Sequence, residues 1–244
     1  MRSPQRLARI AGVCYLLCAV FALFAHWVGT EADAPGDAAA TARNVAAHPT
    51  LFRLGVIADL AQAVAILGTA LALYLLLSHI DTYVARTMVI FVVIMVTITL
   101  ANSVHYAGAH LVATDGSYAA ALGSSGADAL VGLLFDLHRH GVLVAKIFFG
   151  LWLLPLGYLV ARSGRFPRVL GILLMTVGCG GYLVDLLARL LAPEFGAALS
   201  PFVVTPAGIV EFAMIGWLLV KRQQTAPGLA ATHHREARSV GLLP

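Results

Sequence analysis

Thr87-Met-Val-Ile-Phe-Val-Val-Ile-Met-Val-Thr-Ile-Thr-Leu-Ala-Asn-Ser-Val-His-Tyr-Ala-Gly-Ala-His-Leu111 runs for 25 residues without a lysine, arginine, aspartate or glutamate. A helix of that length rises roughly 37 Å at ~1.5 Å per residue, more than the ~30 Å hydrocarbon core of a bilayer. Its histidines, His105 and His110, fall in the last turns. Working outward, similar apolar stretches cover residues 8–28, 54–77, 141–161, 168–191 and 203–220. The sequence therefore predicts an all-α polytopic transmembrane helix bundle of about six spans over residues 1–222. The segment 223–244 has no periodicity and reads as a disordered cytoplasmic tail.

Composition agrees, since 60% of the 244 residues are hydrophobic and only 11% are charged. So little polar surface does not keep a chain dissolved. The formal charge of +4 comes from residues beside the spans rather than from a basic domain. They read as topology determinants and anionic-lipid contacts, and no nucleic acid partner is expected. Cys14, Cys18 and Cys179 all lie in apolar segments and form neither a disulfide framework nor a zinc pattern. The first span has the basic start of a signal peptide, with Arg2, Arg6 and Arg9, but its long apolar run and Pro35 favour an uncleaved anchor.

Basic residues alternate between connections. Arg2, Arg6 and Arg9 precede the first span, Arg86 lies between the second and third, Arg162, Arg165 and Arg168 lie between the fourth and fifth, and Lys221, Arg222, Arg235 and Arg238 follow the sixth. The other connections carry Glu31, Asp33, Asp37, Asp115, Asp128 and Glu194. By the positive-inside rule both termini are cytoplasmic, in a bacterial plasma membrane. In the first outer loop, Asp37 reads as the N-cap of an alanine-rich helix ending at His48-Pro49. Between Ala127 and His140, an apolar stripe of Leu130, Leu133, Leu134 and Leu137 marks either an interfacial helix or an outward extension of the fourth span. Pro155 should kink the fourth span and Pro206 weaken the start of the sixth.

Ionisable groups at membrane depth cost on the order of 2.5 to 3.5 kcal/mol each, so they face the bundle interior and seek partners. Here they concentrate toward the outer side: Asp59 and Gln62 on the second span, His105 on the third, and Asp136, His138, His140 and Lys146 at or before the fourth. Asp185 and Arg189 lie on the fifth and Glu211, the deepest acid, on the sixth. With Arg53 these form the expected outward-facing polar pocket. It would bind or transport a small polar ligand, a proton or a lipid headgroup. Two alternatives stand beside it. One is an intramembrane lipid-modifying enzyme using Asp59, His105, Asp136 and His138 as a metal or acid–base set. The other is a structural subunit in which pairs such as Asp185 with Arg189 and Asp136 with His140 only hold helices together. The absence of HExxH, GxSxG and phosphate-binding glycine loops favours binding over catalysis, and no cofactor or metal is expected. Membrane lipids and a second copy of the chain, as a homodimer, are the expected partners.

Several ordered stretches point to one family: Arg9-Ile-Ala-Gly12, Pro35-Gly-Asp-Ala-Ala-Ala-Thr-Ala42, Leu51-Phe-Arg-Leu-Gly-Val-Ile-Ala-Asp59, Asp136-Leu-His138, Phe148-Phe-Gly-Leu151, Gly157-Tyr-Leu-Val160, Pro167-Arg-Val-Leu-Gly171 and Gly181-Tyr-Leu-Val-Asp185. Together they resemble the bacterial multi-span proteins of domain-of-unknown-function family 4386, over roughly residues 5 to 222. The resemblance implies an integral membrane protein with no assigned activity. It draws attention to Arg53, Asp59, Asp136, His138 and Asp185, which fall within the matching stretches.

Overall fold

A computed structural model describes residues 4–221. The expected tail at 223–244, together with Arg2, Arg222, Arg235 and Arg238, lies outside the described residues. All regular structure among the described residues is helical. Helix α1 covers Pro4–Ala32, α2 Ala38–Ala47, α3 Pro49–Leu77, α4 Thr82–Thr114 and α5 Gly116–Leu122. Helix α6 covers Ser124–Leu151 and α7 Leu153–Arg162, and α8 (Arg168–Leu173) joins α9 (Cys179–Leu191) through a π-helical turn at Leu174–Gly178. Helix α10 covers Pro193–Val220. Among the described residues there are six helices long and apolar enough to cross a membrane: α1, α3, α4, the α6–α7 unit, the α8–α9 unit and α10. The chain is a multi-pass membrane protein.

Each of these helices packs on its successor, and α10 packs back on α1, closing a ring in chain order. Gln5 Nε2 donates to the Lys221 carbonyl at 3.5 Å, so the two described chain ends leave the ring on one side. This is the basic end, with Arg9, Arg86, Arg162, Arg165 and Arg168 beside it. Its connections are short turns at 78–81 and 163–167, and Asp81 caps α4 by accepting from the Tyr83 and Val84 N–H groups. The opposite, acidic end holds α2 and α5. Asp37 caps α2 through the Ala40 N–H at 2.8 Å. Asp115 caps α5 through the Ser117 N–H, which holds its carboxyl below the usual carboxylate range.

Helix length explains why the acidic end is elaborate. The 29 residues of α1 and 33 of α4 rise roughly 43 and 50 Å, well beyond the hydrocarbon thickness. The surplus projects at the acidic end and builds a second apolar core from Val28, Val45, Phe52, Tyr106, Val131 and Phe135. The main core, nearer the basic end, centres on Leu73, Met88, Trp152, Leu156 and Met214. Val13, Val20, Leu23, Val64, Val104 and Ile209 stay exposed on the outer faces, as lipid contact requires.

Helix α6 runs from Ser124 to Leu151 without a break, so residues 127–140 extend the fourth span toward the acidic end. Its buried stripe, however, is Ala127, Val131 and Phe135, while Leu133 and Leu137 are exposed. Leu130 and Leu134 pack against the second core, so the leucine stripe divides between core and outer face, a lipid-facing surface being as apolar as a core. Pro155 interrupts the helix four residues back, at the Leu151–Leu153 junction, where a proline cannot donate. Both Pro201 and Pro206 are accommodated inside α10.

Where α7 meets α8, Gly157 and Gly171 touch backbone to backbone, and a Cβ on either would overlap the other's carbonyl oxygen. Gly157→Val should therefore lower stability by about 1 to 3 kcal/mol or prevent folding, measured by thermal unfolding of the purified protein. Gly180→Ala, with nothing near its added methyl, should be neutral or stabilising.

Candidate functional site

A polar layer separates the two apolar cores. On α3, Asp59 lies between Phe52 of the upper core and Ala63 of the main core. On α4, Asn102 and Ser103 lie between Tyr106 and Val96, and on α6, His138 and Lys146 lie between Phe135 and Trp152. A cavity of about 430 Å³ occupies this layer, with polar lining from Asp33, Asp59, Gln62, Asn102, Tyr106, His138, Arg139, Lys146 and Arg189. Ala22, Val142 and Phe149 supply apolar wall. One turn nearer the basic end, Cys18, Ile66, Met95 and Trp152 belong to the packed core, which closes the cavity's floor.

The same helices give its depth. Arg9 and the exposed Trp27 are eighteen residues apart on α1, or roughly 27 Å, and this pair brackets one hydrocarbon thickness. The cavity is lined on α1 from Ala22 to Thr30 and by Asp33 just past its end, so it straddles the membrane boundary at the acidic end. Lys146 is sixteen residues from Arg162 and Asp185 seventeen from Arg168, placing both roughly 25 Å from the basic end.

Asp59 is 8% exposed and accepts from the Gln62 side-chain amide. It has no ion-pair partner within 4 Å among the described residues. Opposite, the Asn102 amide nitrogen donates to the His138 carbonyl at 2.9 Å and lies 3.2 Å from its Nδ1. The same Nδ1 lies 3.4 Å from the Asn102 main-chain carbonyl, so Asn102 holds the ring through both its side chain and its backbone. The Tyr106 ring stacks on His138 with centroids 4.4 Å apart. Its hydroxyl is buried and has no hydrogen-bond partner among the described residues. Gly141 makes this arrangement possible, because a Cβ there would overlap the Asn102 amide.

At the other wall, Asp185 is fully buried and bridges Lys146 of α6 and Arg189 of its own helix, the latter at 3.1 Å. Thus Asp59, Gln62, His138, Lys146 and Arg189 of the expected pocket line one cavity, and Asp185 sits behind its wall.

The remaining expected pocket residues stand apart. Arg53 is exposed and donates to His110 Nε2 at 2.9 Å. His105, one turn along α4, leans on the Asn102 carboxamide from outside the lining. Asp136 is exposed and pairs with Arg139 rather than with His140, whose Nδ1 reaches only the Asp136 carbonyl at 2.8 Å. Glu211 belongs to a separate cluster within the bundle, accepting from the Tyr15 and Tyr182 hydroxyls. Helical phase is the reason for Arg53, His105, Asp136 and His140, which lie on other faces, and depth is the reason for Glu211, whose partner Tyr15 belongs to the main core beneath the cavity. The set Asp59, His105, Asp136 and His138 is consequently not assembled, and no group of three metal-ligating side chains occurs among the described residues.

A family model described as a domain of unknown function (DUF4386) matches residues 10–221. The chain belongs to this family. No curated protein and no solved structure matches it. The family match spans every membrane-crossing helix and the whole polar layer, but brings no residue roles with it.

Asp33, Asn102 and Tyr106 line the cavity without standing out in the sequence. For Asn102 and Tyr106 a signal existed: Thr99, Asn102 and Tyr106 recur at helical spacing on one face of the third span, whereas His105 is out of phase. Removing Asp185 strands two cations at the hydrocarbon boundary, so Asp185→Ala should cost about 3 to 5 kcal/mol. Asp136→Ala, which breaks only an exposed pair, should cost no more than about 1 kcal/mol. Thermal unfolding of the two variants side by side checks the difference.

Proposed function

We propose that this protein binds a small polar ligand in the cavity between its two apolar cores, and that the acidic end faces outward across a plasma membrane. The observation that carries the binding reading is Asp59. Asp185 is held by two cations and Glu211 by two hydroxyls, whereas Asp59 faces a cavity with the Gln62 carboxamide as its one hydrogen-bond partner among the described residues. A carboxylate can accept several more bonds, and burying it without them is costly. The unpartnered Tyr106 hydroxyl on the same cavity supports the same reading. Binding is favoured over an open conduit because Trp152, Met95 and Ile66 pack beneath the floor. The outward orientation rests on the arginines of the basic end.

In a screen of small polar compounds against the purified protein, at least one should raise the unfolding temperature. Asp59→Asn should abolish that shift, and Asp136→Asn should leave it intact. A screen without any stabiliser, or a shift indifferent to Asp59→Asn, would remove the pocket from consideration. Orientation is tested with single cysteines in a background lacking Cys14, Cys18 and Cys179. Thr30→Cys should react with a membrane-impermeant maleimide on intact cells and Thr82→Cys only after lysis, whereas the reverse pattern inverts the topology.

A further inference from the structure

Taking the cavity as a binding site, as proposed above, we infer that its ligand is a compact zwitterion, with an ammonium group held at Asp59 and an oxyanion held at Lys146 and Arg189. The two walls carry opposite and incomplete charge. On one side the Asp59 carboxylate has no cation within 4 Å among the described residues. Beside it, the Tyr106 hydroxyl offers an unused oxygen, and the Tyr106 and Phe135 rings meet edge to face with centroids 5.3 Å apart. Carboxylate, hydroxyl oxygen and aromatic surface together form the surroundings that an ammonium ion favours and an anion does not.

On the other side two cations share one carboxylate. Lys146 and Arg189 both bond Asp185, which is completely buried, and both also line the cavity. Two cations on one carboxylate leave one positive charge in excess beside the cavity. A cation alone would satisfy Asp59 and leave the opposite wall unbalanced, and an anion alone would do the converse. One molecule bearing both groups balances both walls, which matters most in a layer at the edge of hydrocarbon. His138, near Asp59, and Lys146 are eight residues apart on α6, or roughly 12 Å along its axis, a span shared between the side chains and a short ligand. Arg139 at the cavity's edge is already engaged by Asp33 and Asp136 and supplies no further excess.

Because the cavity lies at the membrane boundary, this chemistry has two sources: a free solute, or the headgroup of an aminophospholipid. The test uses the full-length chain in nanodiscs of phosphatidylglycerol, titrated with O-phosphoethanolamine, ethanolamine or inorganic phosphate and read by thermal unfolding. Phosphoethanolamine should bind at least about tenfold more tightly than either fragment. Asp59→Asn and Lys146→Met should each weaken it by about tenfold or more, with partial recovery in Asp59→Glu. Arg189→Gln replaces Lys146→Met if the latter does not fold. In a second arm, nanodiscs also contain phosphatidylethanolamine, and native mass spectrometry asks whether the wild type retains it over phosphatidylglycerol while Asp59→Asn does not. Preference in either arm supports the inference and identifies the source. If ethanolamine binds as tightly as phosphoethanolamine and the Lys146 and Arg189 variants bind unchanged, the site takes a simple cation; the inference then falls while the binding reading survives. If neither arm shows binding but uncharged compounds stabilise the protein through Asp59, the zwitterion is likewise excluded. Only the failure of every compound, charged or neutral, overturns both.

Discussion

Hydrocarbon offers no hydrogen bonds, so each polar atom carried into it by the helices must find a partner within the protein or in water that the protein admits. The bundle answers this demand in three ways. Asp185 is enclosed by Lys146 and Arg189, tying α9 to α6. Glu211 receives hydroxyls from Tyr15 and Tyr182, joining α10 to α1 and α9 near the position where the ring closes. Asp59 instead meets a cavity. The first two arrangements hold helices, and the third leaves capacity for something else.

The cavity's position follows from a mismatch between helix length and membrane thickness. Helices of 29 to 33 residues overrun the bilayer, and their surplus packs with α2 and α5 into a second apolar core. Two cores stacked along the same helices leave a layer between them near the membrane boundary. Polar side chains are tolerated there because water and headgroups are close, yet the upper core shelters them from bulk solvent. Gly141 brings α6 close enough to α4 for Asn102 to orient His138, so the layer is built by packing as well as by composition.

Much of the architecture was legible because membrane insertion imposes a one-dimensional code of length, hydropathy and charge. The helix following Asp37 and the break before Pro155 were readable for local reasons: a short polar side chain caps orphan N–H groups, and proline removes a donor. The site was legible in depth but not in direction. Asp59, His138 and Lys146 reach the cavity, while Arg53, Asp136 and His140 occupy nearby levels on other faces. In a soluble helix, hydrophobic periodicity would have separated these faces. Here lipid-facing and core-facing surfaces are both apolar, as Leu133 and Val131 illustrate, and that signal is lost.

By itself, then, the sequence determined that the chain enters a membrane, how many helices cross it, and toward which end its titratable groups lie, because those properties depend on residues adjacent along the chain. Tertiary structure alone decided that Lys146 joins the Asp185–Arg189 pair of α9, that Glu211 joins two tyrosines, and that Asp59 is left facing open space. Those partners are separated by up to 196 positions in sequence, and only the rotation and packing of whole helices brings them together.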